Sequence, residues 1–155
     1  MVPTAKLLVV YYSRTGNTKK LVEGFAEGAK SVGGVEVIVK GAEEAKVEEL
    51  LEADAIVFAS PSYFRLPAWP LKKFIDDSIA VYGKLGGKLG GALCTAGSSI
   101  GAVKCVQALK DAIEEHGMKF VGNGVWCIES PSQQDLEKAY QYGEKVSRAI
   151  LTSKK

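Results

Sequence analysis

Lys6-Leu7-Leu8-Val9-Val10-Tyr11-Tyr12-Ser13-Arg14-Thr15-Gly16-Asn17-Thr18 runs from an unbroken apolar stretch into a loop of hydroxyls, glycine and amide. The first half has the composition of a central parallel strand, whose side chains are buried on both faces and need not alternate. The second half stands where such a strand hands over to a helix. There the leading N–H groups lack partners and the dipole is positive, so an anion is favoured. Ser13, Thr15 and Thr18 add hydroxyl donors, Gly16 lets the backbone approach closely, Asn17 tolerates turn geometry, and Arg14 is available to neutralise charge. The pattern suits a phosphate dianion. It is distinct from the lysine-bearing P-loop G-x-x-x-x-G-K-[ST], which is absent, and no G-x-G-x-x-G follows a strand. The same residue types also cap helices and turn chains without binding anything.

Outward from this stretch, short β-branched runs alternate with segments of helical period. Leu21, Val22, Phe25, Ala26 and Ala29 recur at three and four residues and predict a helix over 18–32, stopped by Gly33-Gly34. A strand is expected over 35–40, a short helix over 42–51 and a third strand over 55–60, closed by Pro61. The bracketing prolines make 61–67 a loop, since the residue before each proline is driven to extended geometry. A helix over 69–77, a fourth strand over 89–95, a loop over 96–101, a helix over 102–116, a fifth strand within 118–128 and a last helix over 132–151 complete the pattern. Ser132 is the expected N-cap of the last helix, with Asp135 near its positive end. The whole predicts an α/β fold: a three-layer, doubly wound, five-stranded parallel sheet of order 2-1-3-4-5. In that order ligands bind beyond the carboxyl ends of the strands, at the switch between strands 1 and 3, where the loops after strands 1, 3 and 4 converge.

With 155 residues, 46% hydrophobic and 25% charged, the chain has the size and balance of one ordinary globular domain over 1–155. No apolar run approaches the roughly 20 residues of a membrane span, and no basic, then hydrophobic, leader opens the sequence, so membrane insertion is not expected and a cytoplasmic location is. The net charge is +2 and the lysines come as scattered pairs (Lys19 and Lys20, Lys72 and Lys73, Lys154 and Lys155), which argues against nucleic acid as a partner. Cys94, Cys105 and Cys127 form no Cys-x-x-Cys pair, so neither a disulfide framework nor a metal site is expected. His116, the sole histidine, ends a helix beside Gly117, where a cation at the C-terminus is favoured. A response-regulator receiver shares the strand order but requires an acidic pocket and an aspartate after strand 3. Ser60 stands there instead.

Tyr12 to Thr18 resembles the phosphate signature of the flavodoxin family, and the order of elements agrees over nearly the whole chain. The resemblance implies FMN as cofactor, with Ser13, Arg14, Thr15, Gly16, Asn17 and Thr18 on the phosphate. It further implies Pro61, Ser62, Tyr63 and Phe64 as the first loop flanking the flavin, and Thr95, Ala96, Gly97 and Ser98 as the second. The implied function is electron transfer between redox partner proteins. A second resemblance, to flavodoxin-like NAD(P)H:quinone oxidoreductases named for the tryptophan-repressor-binding protein, covers residues 23–29, Pro61-Ser62-Tyr63-Phe64, His116-Gly117-Met118 and Pro131-Ser132-Gln133. It implies an alternative, a reductase using NAD(P)H and a quinone, while a flavin-free binding module is a third. Many flavodoxins also carry a glycine in the loop after strand 3, whose peptide flips with the redox state. Ser62-Tyr63-Phe64-Arg65 has none, so positive φ is expected to be costly there.

Overall fold

A computed structural model describes residues 5–154, leaving the first four residues and Lys155, one of the terminal lysine pair, outside the description. The opening apolar run forms β1 (Ala5–Tyr11), followed by α1 (Asn17–Ser31), β2 (Val35–Gly41), a single-turn α2 (Glu49–Glu52) and β3 (Ala55–Tyr63). Then come β4 (Leu66–Pro67), α3 (Trp69–Asp77) with a 3₁₀ turn, β5 (Leu89–Ala96) and α4 (Ser99–Glu115). The chain ends with β6 (Lys119–Phe120), β7 (Val125–Ile128) and α5 (Gln133–Ser153). The sheet order is β2-β1-β3-β5-β6, with β7 also on β5 and β4 on β3. Apart from β4 every pairing is parallel, and the architecture is the expected doubly wound one.

Three expectations are corrected. The single fifth strand is two: β6 pairs with the start of β5 (Leu89 with Lys119) and β7 with its end (Leu93 with Val125), so the described residues carry seven strands. The break lies at Gly122 and Gly124, whose φ of 60° and 72° leave the extended region. The expected loop over 61–67 is a hairpin. β3 continues through Pro61 to Tyr63 and pairs antiparallel with β4, Ser62 opposite Pro67 and Tyr63 opposite Leu66. Pro67 is tolerated because β4 has no further strand to supply with an N–H. The helix expected over 42–51 shrinks to its last turn, because the Glu49 carboxylate accepts the Lys46 N–H at 2.8 Å and ion-pairs with Lys40 at 2.6 Å, holding the preceding residues in turns.

Alternate residues of the buried strands feed two cores. Leu7, Val9, Val57 and Leu93 face α1 and α5, while Leu8, Val10, Ile56 and Phe58 face α3 and α4. Helices α1 and α5 approach closely because each offers a glycine to the other's backbone. A Cβ on Gly28 would lie 1.9 Å from the Tyr140 carbonyl oxygen, and one on Gly143 would lie 2.1 Å from that of Phe25. The buried Ser147 hydroxyl donates to the Ala29 carbonyl at 2.9 Å across the same seam. Alanine is the better helix former by about 1 kcal/mol, but the overlap must part the helices, and overpacking of this kind costs about 1–3 kcal/mol or more. Gly28→Ala and Gly143→Ala are therefore expected to lower stability by about 2 kcal/mol each, read as a lower urea midpoint.

Candidate functional site

The carboxyl ends of β1, β3 and β5 meet at one edge. Tyr11 lies opposite Ala59, Pro61 opposite Thr95, and the Tyr12 N–H donates to the Ala59 carbonyl at 3.1 Å. Beyond β1 the chain turns through Gly16, which has φ 95° and serves as the N-cap of α1 without any side-chain cap. Glycine is needed there because a side chain strains that left-handed conformation. The N–H groups of residues 13–18 find no acceptor among the described residues, whereas the Lys20 N–H returns to the Gly16 carbonyl and the Lys19 N–H donates to Ser13 Oγ at 3.2 Å. A run of unpaired donors at the positive end of a 15-residue helix is an arrangement that favours an anion. Arg14 and Thr15 are exposed on its rim. Thr18 turns inward instead: its Oγ1 lies 2.8 Å from Thr95 Oγ1, both residues being buried.

The other two loops are built more rigidly than their composition suggests. Ser60 Oγ donates to the Pro61 carbonyl and accepts the Ala68 N–H at 2.8 Å, closing the base of the hairpin. Ser62 Oγ donates to the Gly101 carbonyl at 2.8 Å, tying the hairpin to α4. At the tip Phe64 and Arg65 have φ 54° and 68°. Both central residues of the turn are thus left-handed, as a two-residue hairpin requires, although neither is the usual Asn or Gly. The positive φ expected to be costly is already adopted. Ser98 caps α4, its Oγ accepting the Gly101 N–H at 3.2 Å, so α4 begins three residues earlier than expected. Gly97 is exposed beside it, and a Cβ there would meet nothing within 4 Å. Beyond β7, Glu129 is also at positive φ, 57°, with its N–H donating to the Ala96 carbonyl at 2.8 Å.

All fourteen residues singled out from the sequence therefore lie at or just beyond the carboxyl ends of β1, β3 and β5, along one edge of the sheet, and Thr18 and Thr95 join two of these segments directly. Ser60 and Gly101 were not singled out. Ser60 is one polar residue at the end of an apolar strand, and nothing in that local pattern signals its bond to Ala68 eight residues on.

Residues 40–133 match the family described as NADPH-dependent FMN reductase. The chain belongs to that family. It is 46% identical over 96 residues to a flavodoxin of Aquifex aeolicus, a match covering 62% of this chain and 50% of the relative. The chain thus matches about half the length of that curated relative. Among solved structures, an archaeal flavodoxin superposes with TM-score 0.85 at 28% identity, over 94% of this chain and 99% of that one. A flavodoxin, WrbA-like protein from Agrobacterium tumefaciens superposes with TM-score 0.86 at 27% identity, over 97% and 99%.

The remaining candidates lie outside the converging loops. Trp69 is exposed at the start of α3 beside a groove of about 610 Å³. Burial pushes the Cys127 thiol up to about 11, and Cys94 is raised too, by burial and by neighbouring Cys105, so these thiols are held protonated. His116 is the C-cap of α4, as expected, but its ring is not an exposed helix-end cation. It is buried, and its Nε2 lies 2.8 Å from Ser78 Oγ. The Ser78 hydroxyl hydrogen goes to the Ile75 carbonyl at 2.5 Å, so Ser78 accepts from Nε2–H and leaves Nδ1 as a bare acceptor with no partner. Burial lowers the His116 pKa, against the opposing pull of Glu115. Tyr82 covers the ring at 5.9 Å and donates to Glu115 at 2.9 Å.

Because the folded pKa lies below the unfolded value of about 6.5, the unfolded chain binds the proton first as pH falls. Stability should therefore decline from pH 7 towards pH 5.5 by more in the parent protein than in His116→Gln, measured as the difference between their urea midpoints. The hairpin gives a second test. Replacing the tip by Phe64→Asn with Arg65→Gly removes two left-handed non-glycine residues, and thermal unfolding should show a gain of about 1–2 kcal/mol.

Proposed function

We propose that this protein holds FMN at the converging loops and acts in the cytoplasm as an electron carrier between redox partner proteins. The observation that supports this most directly is the run of unpaired N–H groups over residues 13–18 at the start of α1, donors of the kind a phosphate dianion requires. In this reading Ser13, Arg14, Thr15, Gly16, Asn17 and Thr18 hold the phosphate. The hairpin residues Pro61, Ser62, Tyr63 and Phe64 and the loop Thr95, Ala96, Gly97 and Ser98 flank the ring. The flavin, when bound, supplies the one- and two-electron chemistry, and the protein supplies position and surroundings. The bonds between Ser60 and Ala68 and between Ser62 and Gly101 tie the hairpin at its base and to α4, which supports a pre-organised flank for the ring.

The match to NADPH-dependent FMN reductases over residues 40–133 favours a second reading, an NAD(P)H-dependent reduction of quinones or similar acceptors at the same flavin. That matched segment contains the hairpin and the loop after β5 but not the phosphate cradle. Steady-state oxidation of NADPH with a quinone and FMN-loaded protein separates the two. A carrier should turn over far more slowly than the roughly 10 s⁻¹ of an ordinary enzyme.

Purified protein is expected to take up FMN with quenching of flavin fluorescence, and to bind riboflavin, which lacks the phosphate, at least about 100-fold more weakly. Thr15→Asp sets a carboxylate at the rim of the cradle and should erase most of that discrimination, since like charges in contact cost several kcal/mol. Equal affinity for FMN and riboflavin in the parent protein would refute the phosphate site.

A further inference from the structure

The three loops that converge at this edge share a property that the chain as a whole does not have. Residues 12–22, 61–71 and 95–107 contain five cationic side chains, Arg14, Lys19, Lys20, Arg65 and Lys104, and no carboxylate, although the net charge of the protein is only +2. Among the described residues none of the five is in an ion pair. Carboxylates border these segments: Glu43, Glu44, Glu48, Glu49 and Glu52 follow β2 at one side of the sheet, Glu129 follows β7 at the other, and Glu23 lies next along α1.

At the centre of this basic edge stands a convex apolar surface. Phe64 is 98% exposed at the tip of the hairpin, and Leu66, in the arm that packs against α4, is more than half exposed. On α4, Ile100 and Val103 are about half exposed and share a face with Lys104, being three and four residues apart. Ser62 bonds the two elements together at Gly101. Left-handed geometry at Phe64 and Arg65 costs about 1–2 kcal/mol per residue, and it is spent on holding an aromatic ring and a guanidinium out in solvent. Aromatic and arginine side chains are those that anchor protein interfaces.

We propose that this edge is a docking surface for an acidic redox protein, with Phe64, Leu66, Ile100 and Val103 as the apolar centre and Arg65 and Lys104 as the cations that steer it. The inference rests on the electron-carrier reading, in that the partner's redox centre is brought against the flanking loops. The cations raise the encounter rate with a negatively charged face and disfavour a positively charged one, and the acidic flanks set the orientation.

The test is a nuclear magnetic resonance titration of ¹⁵N-labelled, FMN-loaded protein with two ferrous haem proteins, an acidic b-type cytochrome and a basic c-type cytochrome. Flavin absorbance is read in the same samples. The acidic cytochrome should shift amides at residues 64–66 and 100–104 and bind at least about tenfold more tightly than the basic one, with affinity falling about tenfold between low and physiological salt. Arg65→Glu with Lys104→Glu should invert the preference, and Val103→Ser should weaken binding of the acidic cytochrome without changing its salt dependence. Shifts elsewhere, equal binding of the two cytochromes, or an unaltered preference in the charge-reversed variant would overturn the proposal. So would concentration-dependent self-association through these residues, or NADPH claiming them while the acidic cytochrome does not. Should no flavin absorbance appear, the cofactor reading fails by itself. The amide shifts of the flavin-free chain then decide the docking surface separately.

Discussion

One buried hydrogen bond, Thr18 Oγ1 to Thr95 Oγ1 at 2.8 Å, couples the parts on which the site depends. Thr18 belongs to the first turn of α1 and Thr95 to the end of β5, 77 residues later. Both residues are buried, so leaving either hydroxyl unpaired would cost about 1–3 kcal/mol. The bond therefore fixes where α1 begins relative to the sheet. That start in turn fixes where the unpaired N–H groups of residues 13–18 point.

The same economy governs the hairpin. Its two left-handed residues carry strain that a Gly-containing turn would avoid, and the base is secured by Ser60 and Ser62, which bond across to Ala68 and Gly101. Rigidity at the base permits exposure at the tip. A freely moving loop would fold Phe64 back against the protein, whereas a short two-residue turn between paired strands cannot. The strained tip, the free N–H groups and the acid-free segments share one edge of a molecule that is otherwise conventionally packed, which is the distribution expected when conformational cost is concentrated where ligands and partners meet the protein.

Away from that edge the structure is stiff for a different reason. Gly28 and Gly143 let α1 and α5 meet backbone to backbone, so the helix carrying the cradle is clamped along its length as well as at its start. At the opposite end, burial lowers the His116 pKa and Ser78 dictates its tautomer, making this region sensitive to acid.

The sequence by itself determined the layered fold, the order of its strands and the three loops that converge. Continuous apolar runs, helical periodicity and turn residues are local consequences of burial and backbone freedom, and they survive in a linear reading. The Ser132 to Asp135 capping box was legible for the same reason. Only the tertiary structure decided that residues 61–67 pair as a hairpin, that the fifth strand is split at Gly122 and Gly124, that Thr18 turns to Thr95 and that His116 is buried and uncharged. The contact of Thr18 with Thr95 and the burial of His116 turn on a partner far along the chain or on the solvent environment, which have no signature in the neighbouring residues, and the hairpin lacks the usual Asn-Gly turn that would have announced it. The segregation of charge belongs to both: the acid-free segments can be counted in the sequence, but they form one surface only because the parallel sheet brings their ends together.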